Sequence, residues 1–462
     1  MFPANIEGKL TLIWSGFLNE ATIPIWNGFL MRQFAPLTFA TGGNIVQSSL
    51  NLYPAPDKQI PSLRMRTKLE GSLPRSISNS FEPMSETEQS LKARIRADLP
   101  DKIFERKPMW ALLAIPIVGL IIAASATIVW VPLPWYLMLL CSVVIGHLYG
   151  SLTFLGHDVS HGAAIRSGFW RELIVYLSFG IYCVSPHLWR EWHQRAHHGQ
   201  TNVEGRDPDN FGTFASFDGT PALNRLILKA APGSGHWLSA FYLPLFFTLQ
   251  AQGVLWFNSK TMPDFARLRR RRAVLDSVAW TCFWVSVCIL TGWKSTLFVV
   301  LIPMMISNFI VMSYIVTTHM LCPMVQTRDT LRTSMSVTTF KVFDILHFHF
   351  SHHLEHHLFP AMCSFYYPLV RQSLRRHFAD QYIAPPHWRA LLAIYRTPRL
   401  YEGASTLVDP SGGRKAEIPV VWESLRRATP WLRIPGERPI TKVEEVQRAL
   451  NLARAGRVGL PK

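Results

Sequence analysis

Acidic residues are scarce in this sequence. Thirty Asp and Glu face 47 Lys and Arg across 462 residues, a formal net charge of +17. A basic excess suits nucleic acid, an anionic membrane surface or an acidic protein partner. No common nucleic-acid-binding motif occurs, so no nucleic acid partner is expected. Cysteine is sparse as well. The six cysteines (Cys141, Cys183, Cys282, Cys288, Cys322 and Cys363) form no CxxC pair. That argues against a disulfide framework and against a thiolate metal site. The start carries no clear secretory leader, because Glu7 offsets Lys9 and no small-residue cleavage site follows the apolar run Leu10 to Leu18. Internal repeats and low-complexity tracts are absent.

Long apolar runs are abundant. Four of them, roughly 108–131, 134–156, 273–292 and 295–318, approach the ~20 residues that a membrane-spanning helix needs. Trp130, Trp135 and Trp293 lie at the short turns within each pair, where interfacial tryptophans are expected. Those turns hold a single charge, Lys294, whereas the opposite flanks carry Lys102, Arg106, Lys107 and the arginines of 267–272. The positive-inside rule therefore turns both hairpins outward and leaves both termini in the cytoplasm. The expected fold is an all-α integral membrane protein: four transmembrane helices in two hairpins, with a cytoplasmic helical cap. Two further apolar stretches, 173–185 and 236–257, are read as interfacial or buried against the membrane. Residues 1–83 are rich in Ser, Asn and Pro without periodicity and are expected to be a poorly ordered or non-native extension. Residues 84–380 form the membrane domain, and 381–462 a polar, basic cytoplasmic tail with short helices.

Many of the 17 histidines fall in three clusters: GHDVSH (His157, His161), HQRAHH (His193, His197, His198) and HHLEHHLFP (His353, His356, His357). Each cluster contains an i, i+4 pair, which on an α-helix places two imidazoles on one face for one metal ion. The doubled histidine then reaches toward a second ion. Eight imidazoles exceed what one ion accepts, so two metals are expected. Imidazole by itself suits Zn, Cu, Fe or Ni, and the spacing does not choose among them. The three clusters can meet only if an even number of membrane crossings separates them. The interfacial reading of 173–185 and 236–257 satisfies that condition.

These motifs resemble the three histidine boxes (HxxxH, HxxxHH and HxxHH) of membrane fatty acid desaturases and their hydroxylase relatives, over about residues 90–380. The resemblance implies two non-haem iron ions, O2 as co-substrate, and removal of hydrogens from an unactivated methylene pair of a lipid acyl chain. It implies that the eight box histidines are catalytic metal ligands, joined by His319 at the end of the last span. The plainer reading of His319 is a helix-end histidine on the C-terminal dipole. Asp158, Asp207, Asp209, His349 and Glu355 are candidates to support ligand imidazoles, with capping or surface charge as their ordinary alternative. His347 and His352 crowd the third box, and His147 suits a satisfied buried histidine. A lipid or carotenoid hydroxylase or ketolase would use the same ligands. A histidine-lined metal transporter would want its ligands inside the spans, whereas the boxes lie outside them. No HPGG haem motif occurs, so the two electrons are expected from a separate donor of ferredoxin or cytochrome b5 type. The arginines of 267–272, with Arg371, Arg375 and Arg376, are its expected docking charges, and anionic lipid competes for the first group.

Overall fold

The structure is a computed structural model that describes residues 88–427 apart from 218, 220 and 221. The expectation for residues 1–83 lies outside the described residues, as does the tail beyond 427. The described chain is mainly helical. Its principal helices are α1 (Glu88–Ala97), α2 (Ala114–Trp130), α3 (Trp135–His161), α4 (Phe169–Gly180), α5 (Tyr242–Gly253), α6 (Arg270–Thr296), α7 (Ile302–His319), α8 (His353–Leu358), α9 (Tyr367–His377), α10 (His387–Arg396) and α11 (Ile418–Arg427).

Among the described residues, four helical stretches are long and apolar enough to cross a membrane: Pro108–Trp130, Trp135–His161, Trp237–Thr261 and Arg270–His319. The expected spans 273–292 and 295–318 both lie in the last of these, a stretch of 50 residues, and they part where the sequence places their turn. Gly292 interrupts it with φ 77°, a left-handed conformation that glycine adopts without strain. Trp237–Thr261, expected to be interfacial, has the length and composition of a span, although it is assembled from short 3-10, α and π pieces. Outward-facing Ile115, Ile122, Ile289 and Leu290 are all more than half exposed, as lipid-facing side chains are. Together these stretches mark a membrane protein.

α3 is the central element. Its N-terminal half shows Trp135, Tyr136 and Leu140 to the outside, whereas every residue from Leu148 to Ser160 is buried. α2, α4 and α7 pack around it. Its approach to α7 depends on Gly146, where a Cβ would come within 2.7 Å of the Ile306 side chain. The last turns of α3 and α7 thus end side by side, one carrying His157 and His161, the other His319.

The tail contains more than the expected short helices. Strands β1 (Leu400–Glu402), β2 (Thr406–Val408) and β3 (Lys415–Glu417) form an antiparallel sheet in that order. Leu400 and Val408 bury one of its faces, and Tyr401 and Leu407 the other. Tyr401 Oη donates to the Cys322 carbonyl and Trp422 Nε1 to the Leu321 carbonyl, both at 2.7 Å. These bonds fasten the tail to the chain immediately after His319.

Candidate metal centre

The nine histidines singled out in the sequence converge in two groups. His157, His161, His193, His198 and His356 make one; His197, His319, His353 and His357 make the other. Within each group the ligand atoms lie within 4.8 Å of one another. Eight of the nine are buried and His161 nearly so.

The division corrects one expectation. The i, i+4 pairs His157/His161 and His353/His357 each stay within one group, but His193 and His197 are split between the two. Arg190–His197 is not α-helical but π-helical. The His198 N–H turns back to the His193 carbonyl, an i→i+5 contact. Residues five apart then share a face, so His193 pairs with His198, and His197 is rotated into the other group.

In the first group Nε2 of His157 lies 2.9 Å from that of His193, His193 3.1 Å from His198, and His198 2.9 Å from His356. In the second, His319 Nε2 is 3.2 Å from His197 and 2.7 Å from His353, which is 3.2 Å from His357. Lone pairs facing at such distances repel unless a proton or cation lies between them. Nitrogens at right angles around an ion with bonds of about 2.1 Å sit roughly 3.0 Å apart, which is the spacing seen. His161 Nε2 is buried with no hydrogen-bond partner, the condition an inner-facing ligand nitrogen has before an ion takes it. The donor sets therefore fit one transition-metal ion per group.

Protonation agrees. Burial first, then the neighbouring rings, holds His193, His198, His353, His356 and His357 well below the ordinary imidazole value. They are neutral at physiological pH, the form that binds metal. His197 is the exception. Burial opposes its cation, yet Asp207 and Asp209 outweigh it and hold the group above its ordinary value.

Outer contacts turn several rings. His197 Nδ1 faces Asp207 Oδ1 and Asp209 Oδ2, each at 3.2 Å. Asp207 is fixed by the backbone N–H groups of Asn202 and Asp209, and Asp209 by Trp192 Nε1 and Gln250 Nε2. Burial raises both carboxyls; His197 and the backbone N–H groups reverse this for Asp207, whereas Asp209 is pushed up to about 6. His319 Nδ1 donates to the Thr333 carbonyl at 3.1 Å. Tyr367 Oη donates to the Met362 carbonyl, so it accepts from His356 Nδ1 at 3.0 Å and leaves Nε2 facing inward. Asp158 sits 3.6 Å from His157 Nδ1 and accepts the Ser364 N–H.

Two supporting candidates lie elsewhere. Glu355 touches no ligand imidazole. It is fully buried, paired with Arg371 at 2.9 Å, and accepts from Tyr382 and Ser336, which ties α8 to α9. Arg371 is thus buried and unavailable as a docking charge. His349 is bonded to Asp344 at 2.9 Å, apart from the nine. Sequence reasoning missed Tyr367 and the Thr333 carbonyl. A tyrosine eleven residues after His356 carries no spacing signal, and a backbone carbonyl carries none at all.

A small apolar cavity adjoins the centre. Phe154, Phe179, Trp192, Phe247, Val311 and Phe350 line it, and imidazoles of both groups border it: His157 and His193 from one, His197, His319 and His353 from the other. A larger open groove near Glu88, Arg328 and Asp329 includes no histidine.

The comparisons agree with this geometry. The family model for fatty acid desaturase matches residues 133–389, more than half of the chain. The chain is 25% identical over 146 residues to the sn-1 oleoyl-lipid 12-desaturase of Synechocystis sp., covering 31% of this chain and 41% of that protein. It is 23% identical over 331 residues to the chloroplastic omega-6 fatty acid desaturase of Spinacia oleracea, covering 67% and 69%. With the Delta(8)-fatty-acid desaturase of Euglena gracilis it shares 33% identity over 69 residues, 15% of this chain and 16% of that one. The match therefore spans about two fifths of the first relative and a sixth of the last. Three boxes, two converged imidazole groups and a family match that encloses them all lead to one assignment: the chain belongs to the fatty acid desaturase family.

Proposed function

We propose that the protein is an O2-dependent fatty acyl desaturase that acts on the acyl chain of a membrane lipid. One iron ion would be held by His157, His161, His193, His198 and His356, the other by His197, His319, His353 and His357. When bound, such an iron pair supplies, with O2 and two external electrons, the oxidising power to remove two hydrogens from a saturated chain. The observation that carries this reading is the apolar cavity bordered by imidazoles of both groups. A methylene lying there would face imidazoles of both groups.

The chain's own residues do the rest. The aromatic walls exclude water and restrict how an acyl segment lies against the imidazoles, which fixes the carbon presented. Asp207 and Asp209 orient His197 and make it a stronger donor, and Tyr367 does the same for His356. A lipid-linked chain is favoured because the site lies at the ends of apolar helices and because the Synechocystis relative is named for an oleoyl-lipid. The electrons come from a separate ferredoxin- or cytochrome b5-type donor.

The site is assigned to the cytoplasmic side. Since the imidazoles meet, an even number of crossings separates the boxes. Trp237–Thr261 then enters the membrane without traversing it, consistent with its irregular pieces and with Gln250 reaching Asp209 at 2.7 Å. A cysteine at Lys294 should be labelled only from outside and one at Arg270 only from the cytoplasm; the reverse would overturn this placement.

Lipid profiling by mass spectrometry in a host without desaturases tests the activity. A new double bond in lipid acyl chains, with two irons per chain, is expected. A hydroxylated product would assign the scaffold to the hydroxylase reaction instead, and zinc at full activity would refute the iron centre.

A further inference from the structure

A second polar cluster lies outside the nine imidazoles. Asp344 sits on the short helix Lys341–Leu346, whose Val342 and Ile345 are exposed. Its carboxylate faces two histidine rings. His349 Nδ1 is 2.9 Å from Oδ2, and His352 Nδ1 is 3.7 Å from Oδ1. The Ser351 hydroxyl joins the same group, donating to Asp344 and lying 3.0 Å from His352 Nδ1. All three candidate ligand atoms fall within 4.8 Å of one another.

The backbone is bent to achieve this. Phe348 and His349 both have positive φ, 53° and 54°, and neither is glycine. Consecutive side-chain-bearing residues in the left-handed region are strained, and such strain persists where the surroundings hold it, often at ligand clamps. Here it folds His349 back so that its N–H meets the Asp344 carbonyl at 2.8 Å and its ring meets the Asp344 carboxylate.

We propose that Asp344, His349 and His352 bind a third metal ion, a divalent transition metal of zinc type. Two imidazoles and one carboxylate are a donor set that such ions accept with water in the remaining positions. Ligands of a tetrahedral ion with bonds of about 2.0–2.1 Å lie roughly 3.3 Å apart, between the two separations seen. The side chains of His349 and Asp344 keep 14% and 18% of their exposure, which leaves one side open for entry and for water. Arg371 lies beside Ser351, but Glu355 already pairs with it. The ion would tie Lys341–Leu346 to the start of α8, one residue before His353.

The test counts metal on the full chain in detergent micelles, with the nine-imidazole centre loaded, then zinc added and free metal removed. Total metal should be three per chain in the unaltered protein and two in His349→Ala and Asp344→Asn, with iron unchanged. Zinc should also shield His349 of the unaltered chain from a histidine-acylating reagent, read by peptide mass spectrometry, so the answer does not depend on a variant folding. Equal zinc uptake by all three proteins, or no shielding, would overturn the proposal and show a hydrogen-bonded clasp only. Failure of the desaturase reading would appear separately, as missing iron with the His349 zinc retained.

Discussion

The first and second histidine boxes look alike in sequence and behave differently in space. His157 and His161, on the regular α3, both serve the five-membered group. His193 and His197 have the same spacing, yet the π turn Arg190–His197 sends them to different groups. Spacing decides which imidazoles share an ion only after the period of the helix is known. α3 feeds one group, α7 the other, and the 190–198 segment feeds both, as does α8.

The largest effect should come from breaking that division. Replacing any of the nine histidines by alanine is expected to lower turnover by more than the roughly 100-fold upper range seen for outer-contact changes. His193→Ala and His198→Ala should disturb the same iron as His161→Ala, whereas His197→Ala should disturb the one disturbed by His357→Ala. Mössbauer spectra of the iron-loaded variants check this. If His193→Ala and His197→Ala altered one and the same iron, the division by helix period would be wrong.

The boxes also differ in what anchors them. α3 is fixed by packing on α7, but α8 is fixed by the buried pair Glu355–Arg371. Removing Arg371 strands a buried carboxylate, and Arg371→Ala should cost about 3–5 kcal/mol of stability. Thermal unfolding in detergent would show it, and an unchanged midpoint would remove the ion pair from the account of α8.

Outer contacts should matter less, and unequally. Asp207→Asn keeps the shape but removes the charge facing His197, so turnover or metal affinity should fall about 10- to 100-fold. Tyr367→Phe removes no charge, only a hydroxyl that accepts from His356 and donates to the Met362 carbonyl. It should cost about 1 kcal/mol, roughly fivefold in metal affinity measured by chelator competition. A larger loss for Tyr367→Phe than for Asp207→Asn would invert the ranking of the two contacts.

Much of the centre was legible before any fold was known. Histidine is costly to concentrate at buried positions unless something gathers it, and the three repeated spacings named eight of the nine histidines that converge. His319 followed from its place at a span's end. The supporting contacts were harder to read. Asp207 and Asp209, ten and twelve residues past His197, reach it because the chain turns back through Asn202. Glu355, between His353 and His356 in sequence, points the other way because α8 has two faces.

By itself, the sequence determined the apolar runs, the basic flanks and the identity of the imidazoles, because hydropathy and ligand chemistry are properties of residues. Only the tertiary structure decided how those residues are shared. The π turn set five imidazoles against four, and left-handed Phe348 and His349 brought a ring back to Asp344. Each departs from the regular helical period, and side chains far along the chain pack against it, as His157 does on His193 and Trp110 on Phe348, so a local pattern of residues does not encode it.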